Sequence, residues 1–354
     1  MRVFQINEEV QLMDIQRAIE VTSRFGHLQA EEAEAVMHQI MNGDATEAQI
    51  GAYLMALRMK GETPEEISGS ARAMRDKSSK VPTTINADLL DTCGTGGDKS
   101  GTFNISTTVA FVAAGAGIPV AKHGNRAATS KAGSADVLGA LGVNLDLTPE
   151  QVGKCVDEVG IGFLFAVKLH PAMKYAIGPR RQIGIRTIFN ILGPLTNPAG
   201  ANRQLMGVFA ADLTDLLAHV LKSLGTKSAI VVNGYGGLDE LTVSGPNHVT
   251  QLKEDGTIVT YELDPQELGF EGASVSELQG GDPEENATIL RSVLNGSDQG
   301  AKRDVVVLNA AAALWAAGKV DGLYEGIDLA KQVIDSGAAL QKVDKLVEYS
   351  QSFA

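Results

Sequence analysis

The stretch "LLDTCGTGGDKSGTFNISTTVAF", residues 89–111, begins as a short apolar strand, turns at three glycines and ends in hydroxyl-bearing residues that lead into an apolar helix. A strand followed by a helix is the repeating unit of an α/β domain. The glycines let backbone N–H groups approach an anion closely, and the start of the helix adds partial positive charge. The stretch therefore predicts an α/β fold with an anion site at a strand end.

This loop follows neither of two common phosphate-binding motifs. Lys99 takes the position of the third glycine in the dinucleotide fingerprint, and Asp98 separates Gly97 from Lys99, which breaks the Walker pattern. We therefore expect a different geometry, in which Asn104, Ser106 and Thr107 lie at the N-terminus of the helix. An ordinary strand-to-helix turn capped by asparagine or serine is the alternative at this point.

The sequence on either side of this stretch predicts two kinds of structure. Residues 13–80 have the pattern of a bundle of short helices, with capping boxes that begin at Thr46 and Thr63. After residue 88, short apolar strands alternate with helices, a hairpin is predicted over residues 248–262, and residues 304–353 return to helix. We predict an α/β protein with a small N-terminal helical domain and a large α/β domain, whose mainly parallel central sheet is flanked by helices.

Composition and charge exclude several classes of protein. The 354 residues suggest about two domains, and the fractions of hydrophobic (44%) and charged (21%) residues are ordinary for a globular protein. Cys93 and Cys155 are the only cysteines, and the N-terminus lacks the apolar core of a signal peptide, so we expect a cytoplasmic protein without membrane segments. The net charge of −13 argues against nucleic acid or an anionic membrane as a partner.

Two long stretches of the sequence contain no acidic side chain. Residues 99–135 and residues 159–211 contain no aspartate or glutamate, although both contain several lysines and arginines. Such segments favour a local anion site, because a nearby carboxylate would repel the ligand. Chance clustering on a solvated face is the alternative explanation.

Two further segments place polar side chains after predicted strands. "AKHGNRAATSKAGSADVLGALG", residues 121–142, combines cations, an amide and hydroxyls, and Lys122 could act as a point charge on phosphate. "NGYGGLDELTVSG", residues 233–245, places Asp239 and Glu240 in a glycine-rich loop, where they could bind a hard cation such as magnesium. Ligands of open α/β sheets bind at the carboxyl ends of the strands, so the three loops together favour a phosphorylated ligand.

Four motifs in this order make the chain resemble the anthranilate phosphoribosyltransferase family of tryptophan biosynthesis. They are "GTGGD" at 94–98, "KHGNR" at 122–126, "LHPAMKYAIGPRRQIGIRTIFNILGPLTNPA" at 169–199 and "GLDE" at 237–240. The resemblance implies a magnesium-dependent pentosyltransferase that moves the 5-phosphoribosyl group from phosphoribosyl pyrophosphate (PRPP) to the amine of anthranilate. It also implies a homodimer that forms through the helical domain. The implied helical domain is residues 1–82, completed by inserted helices near 168–190, and the α/β domain is residues 86–165 and 195–354.

The resemblance also implies roles for individual residues. No residue is expected to act as an acid or base, because an aromatic amine is neutral at pH 7 and the reaction depends on positioning and electrostatics. Magnesium would be held by Ser106, Asp239 and Glu240. Anthranilate would be bound by Gly94, Asn125 and Arg180, with His123 and His170 lining the same region. PRPP would be bound by Gly94, Gly97, Asp98, Thr102, Asn104, Ile105, Ser106, Thr107, Lys122, His123, Gly124, Asn125, Arg126, Ala127, Ala128, Thr129, Ser130 and Ser134.

Two other interpretations stay open at this stage. A pyrimidine nucleoside phosphorylase would share the architecture, but Asp239 and Glu240 would have no obvious use in phosphorolysis. A non-enzymatic nucleic-acid-binding relative of the fold would be expected to carry an exposed basic surface, whereas this chain is acidic.

Overall fold

The computed structural model describes residues 13–98, 100–127 and 131–354. Its strands are β1 (Leu90–Gly94), β2 (Val120–Gly124), β3 (Ile161–Phe165), β4 (Arg203–Gly207), β5 (Ser228–Asn233), β6 (Asn247–Leu252) and β7 (Ile258–Leu263). Its α-helices are α1 (Ile15–Ser23), α2 (Ala30–Asn42), α3 (Glu47–Lys60), α4 (Pro64–Asp76), α5 (Ile105–Gly115), α6 (Ser134–Ala140), α7 (Pro149–Val159), α8 (Ala166–Leu169), α9 (Lys174–Ile183), α10 (Phe189–Leu192), α11 (Asp212–Ser223), α12 (Pro283–Leu294), α13 (Ala301–Ala316), α14 (Leu323–Asp335) and α15 (Ala338–Gln351). Across these ranges, no helix has both the length and the apolar character that crossing a bilayer requires.

The chain divides into two compact units. The helical unit contains the described residues up to Lys77 together with Ala172–Leu192, and therefore α1–α4, α9 and α10. The α/β unit contains Ser78–Pro171 and Gly193–Ala354 and holds all seven strands. These limits differ by a few residues from the predicted domain ranges. That the two units are separate domains stays a prediction.

Helix ends in the helical unit follow the local sequence. Thr46 and Thr63 form the predicted capping boxes at the starts of α3 and α4. Glu66, the partner of Thr63, is also fully buried and accepts a hydrogen bond from the Lys60 ammonium at 2.7 Å. A buried carboxylate needs such partners, so the cap and the ion pair together fix the junction between α3 and α4.

The α/β unit is built on one sheet with the strand order β3-β2-β1-β4-β5-β6-β7. The first five strands in this order are parallel, and β6 and β7 add an antiparallel hairpin at one edge. The hairpin turns at Gly256, whose φ of 80° is a left-handed conformation, as the Asp255-Gly256 pair predicts. Buried helices such as α5 and α13 cover the sheet. The predicted fold class is confirmed, and the carboxyl ends of β1, β2, β4 and β5 meet at one edge of the sheet.

Candidate active site

The first predicted loop joins β1 to α5, and its backbone has a conformation that depends on glycine. Gly96, Gly97 and Gly101 have φ angles of 66°, 80° and 71°, a left-handed conformation that favours glycine. Asn104 occupies the N-cap position of α5, but its side chain makes no capping hydrogen bond. Its Nδ2 donates to the Ala132 carbonyl at 3.2 Å instead, so Asn104 ties this loop to the second predicted loop.

Asp239 and Glu240 reach the first loop from the end of β5. Asp239 Oδ2 accepts a hydrogen bond from the Gly96 N–H at 2.7 Å, and Glu240 Oε1 accepts one from the Ser106 N–H at 3.0 Å. All three predicted metal ligands, Ser106 among them, line one pocket at the strand ends. The structure therefore brings together the carboxylates that the sequence places more than 130 residues from the first loop.

Two glycines at strand ends make room for Asp239. A Cβ atom on Gly94, the last residue of β1, would lie 2.6 Å from Asp239 Oδ2. A Cβ atom on Gly207, the last residue of β4, would lie 1.4 Å from the Asp239 carbonyl oxygen. Gly94 was predicted to contact substrate, and the structure gives it a further reason to be glycine.

Burial makes the negative charge of the carboxylate pair unfavourable. Burial, with the charge of Asp98 as the second cause, raises the pKa of Asp239 to about 7. Burial, followed by the charge of Asp239, raises the pKa of Glu240 well above its usual value. A divalent cation would restore the charged forms, and magnesium prefers oxygen ligands of this kind. The side chains present therefore fit a magnesium ion.

The second predicted loop runs from β2 to α6, and Asp136 in the first turn of α6 holds it. The Asp136 carboxylate accepts hydrogen bonds of 2.9 Å from the N–H groups of Ala127 and Gly133. It also accepts one from Arg126 Nη1, again at 2.9 Å. Arg126, a predicted PRPP ligand, is thus paired within its own loop, and the backbone around Asn125 and Ala127 is fixed.

Lys122 lies in the interior, although the sequence suggested a cation on the loop. Its side chain is 2% exposed, and its ammonium donates to the Thr92 carbonyl at 2.5 Å. Burial lowers the pKa of Lys122, whereas the negative charges of the Asp91 and Glu240 carboxylates raise it. Lys122 therefore lies behind the strand ends, where its charge and that of Glu240, one of the candidate magnesium ligands, influence each other.

His123 and His170 form a buried pair in the α/β unit. Their Nε2 atoms are 3.2 Å apart, so one ring donates and the other accepts when both are neutral. Burial, then the charge of His170, lowers the pKa of His123 to about 3, and burial, then the charge of Lys80, lowers that of His170 to about 4. Both rings are therefore neutral at pH 7.

Arg180 belongs to the helical unit and lies on α9. Its guanidinium stands over the Phe189 ring, 5.1 Å from the ring centroid, and burial lowers its pKa. In the described part of the chain, no carboxylate forms a salt bridge with it. A partly buried arginine stacked on an aromatic ring is suited to a planar carboxylate ligand. The neighbouring Arg181 is exposed.

The other predicted PRPP ligands differ in burial and in hydrogen bonding. Asp98 accepts hydrogen bonds from Ser100, and Thr102 is partly buried in the same loop. Gly124 approaches Ser134 so closely that a Cβ atom on it would lie 2.5 Å from Ser134 Oγ. Ile105 and Thr107 are buried, and the Thr107 hydroxyl has no hydrogen-bond partner among the residues that the structure describes. Ala128, Thr129 and Ser130 lie outside the described residues.

Several residues that shape the site were missed by the sequence analysis. Asp91 accepts hydrogen bonds from the His123 N–H at 3.0 Å and from Asn197 Nδ2 at 2.8 Å. Asn309 on α13 contacts the backbone of Leu241, the residue after Glu240. Its Oδ1 accepts from the Leu241 N–H at 3.0 Å, and its Nδ2 donates to the Leu241 carbonyl at 2.8 Å. Asn286 on α12 donates to the Asn104 side chain. None of these side chains lies in one of the three predicted loops, so no local pattern indicated them.

Comparisons with known proteins match nearly the whole chain. The family model described as "Glycosyl transferase family, a/b domain" matches residues 86–340, and the one described as "Glycosyl transferase family, helical bundle domain" matches residues 16–78. The anthranilate phosphoribosyltransferase of Acetivibrio thermocellus is 52% identical over 339 residues, which cover 96% of this chain and 97% of the relative.

Two solved structures have the same fold. The anthranilate phosphoribosyltransferase of Thermus thermophilus superposes with a TM-score of 0.90 at 43% identity, covering 94% of this chain and 99% of its own. The enzyme of that name from Saccharomyces cerevisiae, in complex with PRPP and Mg, superposes with a TM-score of 0.85 at 29% identity, covering 95% and 98%.

Proposed function

The chain belongs to the anthranilate phosphoribosyltransferase family and catalyses the transfer of the 5-phosphoribosyl group from PRPP to the amine of anthranilate; from this premise we propose which residues carry out the reaction. The first and second loops hold PRPP, Asp239 and Glu240 with Ser106 hold magnesium, and Arg180 binds the anthranilate carboxylate. Nucleoside phosphorolysis and nucleic-acid binding are not favoured, because the relatives match over almost the full length under one name.

The observation that carries the proposal is the contact between the carboxylate pair and the first loop. Hydrogen bonds from Gly96 and Ser106 hold Asp239 and Glu240 beside the glycine-rich backbone of the first loop. When bound there, magnesium would neutralise negative charge on the diphosphate that leaves the sugar. The yeast relative solved with PRPP and Mg supports this use of the metal.

The chain's own groups would position PRPP by charge and hydrogen bonds. The glycine loop would let the backbone come close to the diphosphate and the ribose phosphate, and the partial positive charge at the N-terminus of α5 would favour both anions. Residues 122–134 complete the cradle, with Asn125 and Ser134 as polar contacts and Lys122 as a source of positive charge. Displacement of diphosphate builds negative charge on the leaving group, so donors that are already aligned lower the barrier.

Anthranilate needs orientation more than activation. Its aromatic amine is neutral at pH 7, and an oriented amine facing the sugar carbon makes the attack effectively unimolecular. Arg180 and Asn125 would orient it, and the neutral pair His123 and His170 would offer polar edges that do not take up a proton. This proposed division of roles assigns no residue as an acid or base.

The first experiment measures the loss of anthranilate fluorescence when the purified protein is mixed with anthranilate, PRPP and magnesium. We expect rapid loss that depends on magnesium, with a matched reaction containing a chelator as the control. Loss of the same size in the chelated reaction would contradict the proposed magnesium site, whereas no loss in either reaction would contradict the activity itself.

Arg180→Ala tests the proposed anthranilate contact. We expect the KM for anthranilate to rise by about 10-fold to 100-fold, because a charge-assisted hydrogen bond contributes about 1.5–3 kcal/mol, while the KM for PRPP changes little. Steady-state kinetics with each substrate varied in turn gives both values. Arg181→Ala, which removes an exposed arginine one position away, is the matched control. An equal rise in both KM values would oppose this assignment.

The finer expectations about assembly and location are also proposals. Large apolar side chains on the helical unit are exposed, among them Met59, Ile177 and Ile185, and support a homodimer that forms through this unit. Cys93 and Cys155 are free thiols, which fits a reducing cytoplasm. Light scattering of the purified protein would measure the mass of one chain or of two, and cell fractionation would locate the protein.

A further inference from the structure

Asn286 is a buried amide that joins a distant helix to the first loop. It lies in the first turn of α12 and is 2% exposed. Its Nδ2 donates to Asn104 Oδ1 at 2.9 Å, and its Oδ1 accepts from the Gly281 N–H at 2.8 Å. Asn104 Nδ2 in turn donates to the Ala132 carbonyl at 3.2 Å. One line of three hydrogen bonds therefore joins residues 281, 286, 104 and 132.

This line fixes the orientation of the Asn104 amide. Both ends of that amide are engaged within the protein, so the Asn286 donor decides which end faces Ala132. The Asn104 backbone carbonyl accepts from the N–H of Thr108 at 3.1 Å and from its hydroxyl at 3.0 Å, so the residue is also anchored to the first turns of α5. Asn104 thereby connects the two loops proposed to hold PRPP.

The segment before α12 is packed tightly against the first loop. Phe103 donates its N–H to the Leu278 carbonyl at 3.1 Å, and Gly280 donates its N–H to the Gly101 carbonyl at 2.9 Å. A Cβ atom on Gly280 would lie 2.4 Å from Asn286 Oδ1 and 2.7 Å from the Cα atom of Phe103. Asn286 therefore acts on a loop whose backbone is already held, and its specific contribution is the orientation of the Asn104 side chain.

We propose that Asn286 is a positioning residue for PRPP binding, which acts through Asn104 to hold the two loops at the separation the substrate requires. The inference rests on the proposed PRPP site. Because Asn286 does not belong to either loop and is buried behind Asn104, it needs no contact with the substrate.

Asn286→Ala should raise the KM for PRPP about tenfold, because one buried hydrogen bond contributes about 1–1.5 kcal/mol, and should change the KM for anthranilate less than twofold. Asn104→Ala should have a similar effect. On the Asn104→Ala background, Asn286→Ala should raise the KM for PRPP less than twofold further, since a residue that acts through another has no separate effect.

Further variants distinguish a positioning role of Asn286 from a general loss of stability. Asn144→Ala removes a side chain that joins two other segments of the α/β unit, through Asp146 and Ser350, and should leave both KM values unchanged. If Asn286→Ala does not fold, Asn286→Asp keeps an acceptor for the Gly281 N–H and removes the donor to Asn104, so it should show the same rise. Additive effects in the double variant, or equal changes in both KM values, would overturn the proposal. An inactive wild-type protein would instead contradict the proposed function.

Discussion

Glu240→Gln should lower kcat/KM for PRPP by about 10²–10³, the loss typical of removing one preorganised electrostatic group from an active site. The substitution keeps the shape of the side chain and its acceptor for the Ser106 N–H, and removes the negative charge that the site offers to a divalent cation. Steady-state rates at several magnesium concentrations measure the effect, which should include a higher magnesium requirement.

A stability measurement distinguishes lost cation binding from a damaged fold. Magnesium should raise the melting temperature of the wild-type protein, since a ligand that binds only the folded state stabilises it, and this shift should be absent in Glu240→Gln. Without magnesium the variant should melt no lower than wild type, because burial already raises the pKa of Glu240 and disfavours its charge. Glu284→Gln removes an exposed carboxylate and is the control. A normal magnesium shift in Glu240→Gln would argue against Glu240 as a ligand.

Gly207→Ala should destabilise the α/β unit by about 3 kcal/mol or more, at the upper end of what an inserted methyl group costs in a packed interior. The new Cβ atom would lie 1.4 Å from the Asp239 carbonyl oxygen, so either β4 or the loop that carries both carboxylates must move. Urea denaturation gives the free energy of unfolding, and the surviving folded protein should have lost most of its activity.

Gly139→Ala is the matched control for this change. Gly139 is an exposed residue inside α6, and the nearest atom to its added Cβ would be Leu145 Cδ1 at 3.6 Å, an ordinary contact. Alanine in a helix should stabilise the protein by about 0.5–1 kcal/mol. Equal denaturation midpoints for the two variants would show that the loop after β5 adapts to the added methyl group.

Much of the fold was predictable because its signals are local. The capping boxes at Thr46 and Thr63 join residues three positions apart. The hairpin turn depends on a single residue, Gly256, which has a φ of 80°. Short apolar strands between helices indicated the sheet and its parallel part. The C-terminal segment shows the limit of such patterns, since it is helical as predicted but divided between α14 and α15 at Gly337, whose φ is 73°.

The candidate site was predictable in part for a different reason. Three loops after three strands indicated a ligand site, because parallel strands present their carboxyl ends at one edge. The resemblance in four motifs then implied the reaction and the family, which the comparisons confirm. The individual residue roles remain predictions, to be tested by the substitutions above.

The sequence by itself determined the capped helices, the strands, the three loops and the family. The tertiary structure decided that Lys122 is buried, that Gly207 faces the backbone of Asp239, and that Asn286 binds Asn104 across 182 residues of chain. The physical reason is that a helix cap or a turn is stabilised by neighbours along the chain. The partner of a buried ammonium or amide is instead set by the order of strands β2, β1, β4 and β5 and by which helix packs against them, and neither is encoded in residue spacing.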